Sequence, residues 1–181
     1  MRLYLVWLLL TSFAIYEIYQ LQVDPQEFAV SHSERIDANP TIFFNFITQT
    51  HMLEKLLPWF NGLKEADSKI LGVRKFYKAF DKILIGGENI HLMIVEFRSG
   101  KYLALESQDQ SIKQRIEIRT KCYHNQSILT VTVYSQRTAF LFHHTIGRII
   151  QDFIRRNLEK SLLHVNQVYK AIENELQILH S

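Results

Sequence analysis

Hydrophobic and polar positions alternate most clearly in the last third of the chain. Over residues 112–122, Lys113, Arg115, Glu117, Arg119 and Lys121 fall on one face, while Gln114, Ile116, Ile118, Thr120 and Cys122 fall on the other. That period of two is the mark of a half-buried strand, with the charged face expected in solvent and the other turned inward. Residues 127–137 repeat it: Leu129, Val131 and Val133 alternate with Thr130, Thr132 and Tyr134, a composition suited to a pleated sheet. His124-Asn125-Gln126 supplies a short polar turn between the two. From about Phe142 the period changes, and apolar residues from Ile146 through Phe153, Leu162 and Tyr169 to Leu176 recur at three- and four-residue steps. This predicts one long amphipathic helix. A coiled coil would show a similar stripe, but a sheet with an apolar face needs a covering helix, so packing on the sheet is the expectation.

Upstream, residues 27–36 predict a first strand, and Asp37-Ala38-Asn39-Pro40 then supplies a cap and a proline for a first helical turn. Phe43, Phe44 and Ile47 share one helical face, and a second short helix from His51 ends at Pro58. Residues 63–70 and 72–80 are expected as strands, and residues 89–98 and 101–107 as a hairpin across Ser99-Gly100. The expected fold class is α+β: a curved antiparallel sheet of about seven strands, two short helices after the first strand, and a long C-terminal helix gripped by the sheet.

The first residues break this pattern. Residues 3–18 are nearly continuously apolar and follow Arg2, a run of roughly 16–19 residues at the lower edge of a bilayer span. Trp7, Tyr16 and Tyr19 suit the interfacial zones. A membrane anchor and a cleaved signal peptide, with small residues at Ser12-Phe13-Ala14, both fit, and a buried helix is a third reading. The chain thus divides into an anchor or signal segment at 1–20, a linker at 21–26 and a domain at 27–178. Arg2 precedes the apolar run while Glu17, Asp24 and Glu27 follow it, so the domain is expected on the lumenal or extracellular side, single-pass or secreted after cleavage. Asn125-Gln126-Ser127 is a glycosylation sequon that fits such a placement, whereas Asn39-Pro40-Thr41 is excluded by its proline.

Composition narrows the function classes. A 181-residue chain with 47% hydrophobic and 22% charged residues is long enough for one globular core. Its net charge of +3 is mild, and Arg115, Arg119, Lys121, Arg148, Arg155 and Arg156 are interspersed with acids, so nucleic acid is not an expected partner. The single cysteine, Cys122, allows no internal disulfide and no zinc site, and the strand alternation points it into apolar packing where a thiol is inert. His143 and His144 are adjacent, about 100° apart on a helix, and cannot readily hold one ion together; they read as helix-start or surface residues. No metal site, cofactor motif or triad is recognisable, and no catalytic residue is assigned. Glu96, Glu106, His51 and His91 stand on predicted elements without a partner nearby in sequence.

The order of elements resembles the helix-grip fold of the START-like (SRPBCC) superfamily, which includes the birch pollen allergen family and the polyketide cyclase/dehydrase-like proteins. The likeness covers roughly residues 26–174. Ser33-Glu34-Arg35-Ile36-Asp37-Ala38-Asn39-Pro40-Thr41-Ile42-Phe43 resembles the family's passage from first strand to first helix, and Leu57-Pro58-Trp59-Phe60 the approach to the second strand. Ile94-Val95-Glu96-Phe97 with Ser99-Gly100-Lys101-Tyr102 is similar to its central hairpin, and Arg156-Asn157-Leu158-Glu159-Lys160-Ser161-Leu162 to its final helix. The resemblance implies a hydrophobic cavity between sheet and helix, with Ile116, Ile118, Val131, Val133, Ile150, Phe153 and Ile154 as candidate lining; a close-packed core is the competing reading. It also implies a cavity mouth near Phe140-Leu141-Phe142, which would contact a membrane or form a buried helix start. The expected function is a membrane-tethered or secreted domain that binds or transfers a lipid, sterol or isoprenoid-like ligand. A polyketide cyclase-like enzyme, using Glu96 or Glu106 in the same cavity, and a ligand-free protein-interaction module are the alternatives.

Overall fold

The computed structural model describes residues 2–82, 87–108, 112–124 and 126–179. Seven antiparallel strands among them form one sheet: β1 (Val30–Ile36), β2 (Phe60–Glu65), β3 (Phe76–Asp81), β4 (Glu88–Arg98), β5 (Tyr102–Ser107), β6 (Gln114–Tyr123) and β7 (Gln126–Ser135). Their order is β1-β7-β6-β5-β4-β3-β2, so the first strand lies against the last. The helices are α1 (Arg2–Gln20), α2 (Pro40–Ile47), α3 (Thr50–Leu56), α4 (Phe140–His144) and α5 (Ile146–Leu179). This is the α+β helix-grip predicted from the sequence, with two short helices after β1.

Local chemistry sets the boundaries. Asn39 caps α2, its Oδ1 accepting from the Thr41 and Ile42 amides, and Pro40 takes the first helical position, where no amide hydrogen is needed. β1 begins at Val30, later than expected, because Pro25–Phe28 closes a 3-10 turn capped by the Asp24 carboxylate. The strands expected at 63–70 and 72–80 are shorter and shifted. Arg74 takes φ 67°, and the Asp67 carboxylate accepts from the Lys69 and Phe76 amides, so residues 66–75 make a connection between β2 and β3.

The inward face of the sheet follows the alternation. Cross-strand pairs Ile116–Val133, Ile118–Val131 and Thr120–Leu129 line up on β6 and β7, and Leu103 and Leu105 of β5 continue the row. Against it α5 buries Ile150, Ile154, Leu158, Leu162 and Val165. Each such side chain contributes about 1.5–3 kcal/mol of burial, which explains why a helix so rich in charge settles on the sheet. Ser161 ties α5 to the C-terminal end of α3 by donating to the Leu56 carbonyl, and the Asn166 amide donates to Glu34 on β1.

Two readings of the pattern are corrected. The helical stripe is split: Ile146 and Ile149 are 57% and 72% exposed because they project from the outer side of α5, and Thr145 breaks the helix where one continuous element beginning near Phe142 was expected. Cys122 is exposed, not packed, since it lies beyond Thr120 at the open end of β6, past the cover of the helices.

The described side chains of α1 lie outside this core. Tyr4, Trp7, Leu10, Phe13, Ile15, Tyr16 and Tyr19 are all more than half exposed. Among the described residues no helix is long and apolar enough to cross a membrane. The C-terminal end of α1 is pinned: Gln22 bridges Ala139, the Phe140 amide donates to the Leu21 carbonyl, and the Val23 amide donates to Thr138.

Candidate functional site

The end of the sheet where β7 passes into α4 contains the gap between sheet and helix. There Phe28 and Val30, Ile112 and Val133, and Phe142, Ile150 and Ile154 approach without quite meeting, leaving an apolar void of about 20 Å³. A void of that size has room for about one water molecule. It is far smaller than the several hundred Å³ of a small-molecule pocket, so in this state the core is closed.

Of the candidate lining residues, Val133, Ile150 and Ile154 border this gap. Ile116, Ile118 and Val131 are fully buried in the packed layer deeper in the sheet. Phe153 does not face inward. It is 40% exposed and lies with Ile149, Asp152, Arg156 and Asn157 along a groove on the outer side of α5, because the sheet-facing row runs through Ile150 and Ile154. Phe140 and Phe142 are half-buried and Leu141 is 38% exposed, so the cluster straddles interior and surface. Asn125 lies outside the described residues.

The polar residues His143 and Gln114 border the gap. His143 is buried, contrary to a surface reading: its Nε2–H donates to the Arg137 carbonyl and its ring stacks on Phe28 at 4.4 Å. His144 instead donates Nδ1–H to the Phe140 carbonyl, which turns the two imidazoles to different partners. Gln114 is 1% exposed, and among the described residues neither its Nε2 nor its Oε1 has a hydrogen-bond partner. The hydroxyls nearest it in register are engaged with backbone, Ser107 Oγ accepting from the Gln114 amide and Ser135 Oγ donating to the Ile112 carbonyl. The alternation placed Gln114 inward; that an inward glutamine lacks a partner depends on which residues surround it, which periodicity does not carry.

The outer face of the sheet holds a second assembly. Arg115 donates from Nε to Glu117, from Nη1 to Glu106 and from Nη2 to Glu96, and Gln136 also donates to Glu106. Burial alone would lower the guanidinium pKa, but the hydrogen bonds to Glu96, Glu106, Tyr102 and Glu117 outweigh it and the net direction is up. This charged face is therefore a partly buried network, not the freely solvated row expected, because long side chains from β4, β5 and β6 cover one another. Glu96 and Glu106 belong to it and do not reach the gap. Beside it, Arg98, Lys101, Arg119 and Lys121 surround Tyr102, whose ring lies 5.2 Å from the Arg119 guanidinium carbon, and form an open groove of about 380 Å³. Burial raises the Tyr102 and Tyr134 pKa values. Among the described residues no group of three or more His, Cys, Asp or Glu side chains is placed to hold a metal ion.

No protein-family model matches the sequence, and no curated protein matches it. Solved structures do match in shape. TTHA0849 from Thermus thermophilus is 14% identical, covers 80% of this chain and 98% of its own, and superposes with a TM-score of 0.61. Ara h 8.0201 is 10% identical over 76% of this chain and 96% of its own, with a TM-score of 0.53. The di-domain ARO/CYC StfQ from the steffimycin biosynthetic pathway is 9% identical over 84% of this chain and 53% of its own, with a TM-score of 0.57. At such identities the likeness defines the fold and no more: the chain has the START-like helix-grip fold.

Proposed function

We propose that this protein is a membrane-attached helix-grip domain that takes up a hydrophobic small molecule between the sheet and α5, without catalysing a reaction on it. The observation that carries this reading is the apolar seam at the α4–α5 joint, adjacent to the pinned end of an apolar helix. α1 emerges beside the place where sheet and helix fail to meet. A bilayer contacted by Trp7, Phe13 and Leu141 would bring a lipid-soluble ligand to that seam.

Uptake requires the seam to widen. Thr145 separates α4 from α5, and in the first turn of α5 Ile146 and Ile149 stand in solvent, so in this reading that turn shifts away from the sheet while α4 stays held at Leu21 and His143. Widening exposes Val133, Ile150 and Ile154 to the ligand, and every 100 Å² of apolar surface it covers returns about 2.5 kcal/mol before the entropy of binding is subtracted. Catalysis has no comparable support, since Glu96 and Glu106, the acids considered for a cyclase-like reaction, are bound to Arg115 on the opposite face.

The test is to purify the full chain in mild detergent and identify bound hydrophobes by mass spectrometry, then to repeat it with Val133→Trp to fill the seam. A bound hydrophobe in the parent protein, reduced in the variant, is expected. A full chain that carries no hydrophobe and acquires none from lipid vesicles would overturn the reading.

A further inference from the structure

We infer that Gln114 is the polar anchor of the ligand, and that the ligand is a neutral hydrophobe ending in a hydroxyl group, an alcohol or a phenol. This rests on the proposed uptake at the seam and specifies its chemistry. A buried carboxamide with both its donor and its acceptor unmatched is costly, and folded proteins rarely leave one so. Among the described residues Trp59 Nε1 and Asn166 Oδ1 are also buried without partners, but neither borders the void, whereas Gln114 does.

The complement of that carboxamide is a group that donates and accepts at once. A hydroxyl does both, donating to Oε1 and accepting from Nε2. A ketone, ether or ester only accepts and leaves Oε1 unmatched. An ionised carboxylate or phosphate fails differently: among the described residues no Lys or Arg lines the void, the Arg137 guanidinium being engaged with the Phe142 ring at 5.1 Å and the Nε2–H of the neighbouring His143 being directed to the Arg137 carbonyl, so the charge would be buried without a cation in contact with it. Behind the hydroxyl, Val133, Ile150 and Ile154 present only carbon, which suits a hydrocarbon body.

The experiment compares 1-decanol, decyl methyl ether and decanoate at pH 8, titrated into the full chain in lipid nanodiscs. The Gln114 side-chain amide resonance serves as the reporter, with affinities compared at equal free probe. Decanol should bind about ten-fold or more tighter than either analogue, and Gln114→Leu should bring decanol and the ether within about three-fold of each other. If Gln114→Leu fails to fold, Gln114→Met makes the same comparison. Equal binding of decanol and ether in the parent, or a preference that survives the substitution, would overturn the role of Gln114 while leaving hydrophobe uptake standing. Binding of none of the three, with a single long-lived water seen against the Gln114 amide, would mean that the void holds water only, and both readings would fall.

Discussion

Tyr77 shows how a single side chain couples the core to pH. It is buried on β3, and that burial, reinforced by the negative charges of Glu65 and Asp67, pushes its phenol from the ordinary value of 10 up to about 12. Because the folded value is the higher, the contribution to stability is fully present below pH 10. It is lost as pH rises toward 12, when the unfolded chain releases the proton and the folded chain retains it. Tyr77→Phe should therefore flatten the fall in urea midpoint between pH 10 and 12, by no more than about 2–3 kcal/mol at the upper end; an unchanged alkaline slope would show that Tyr77 ionises without unfolding. At this scale the sequence was only partly legible. Period two correctly turned Ile116, Val131 and Gln114 inward, but the same rule sent Cys122 into a core that ends one residue pair earlier. It gave no sign that Arg115 gathers three glutamates, because Glu96 and Glu106 come from other strands.

Elements were read more securely than their joints. The hairpins and α2 follow from local signals, alternation in one case and Asn39-Pro40 in the other, and need no knowledge of the rest of the chain. The α4–α5 break is different: its cause is tertiary, the packing of His143 on Phe28 and the close approach of α5 to the end of α4. Gly147 makes that approach possible, since a Cβ there would lie 2.8 Å from the Phe142 carbonyl oxygen, a backbone atom that cannot swing aside. Gly147→Ala should destabilise the fold by about 1–3 kcal/mol, visible as a lower thermal midpoint. Retention of the full midpoint would show that the two helices separate at little cost, which would itself favour easy widening of the seam.

At the scale of the whole molecule the question is whether α1 is part of the folded domain or an attachment to it. Among the described side chains the hydrophobic core draws on β1 to β7 and on α2, α3 and α5, and on none of those described in α1. Among the described residues α1 is joined to the rest by its contact with α4 and the backbone bonds at Leu21, Gln22 and Val23. Removing residues 1–20 while keeping Leu21 preserves those bonds and should shift the thermal midpoint of the domain by less than about 4 °C, the equivalent of roughly 1 kcal/mol or less. The same truncation takes away Trp7, Leu10 and Phe13, so flotation with lipid vesicles should fall sharply while 1-decanol binding at Gln114 persists. Undiminished flotation would place the membrane contact on Leu141 and the exposed face of α5, where Ile146, Ile149 and Phe153 stand among Arg148, Arg155 and Arg156. A collapse of the thermal midpoint would instead make α1 a structural element of the fold, its exposed side chains notwithstanding.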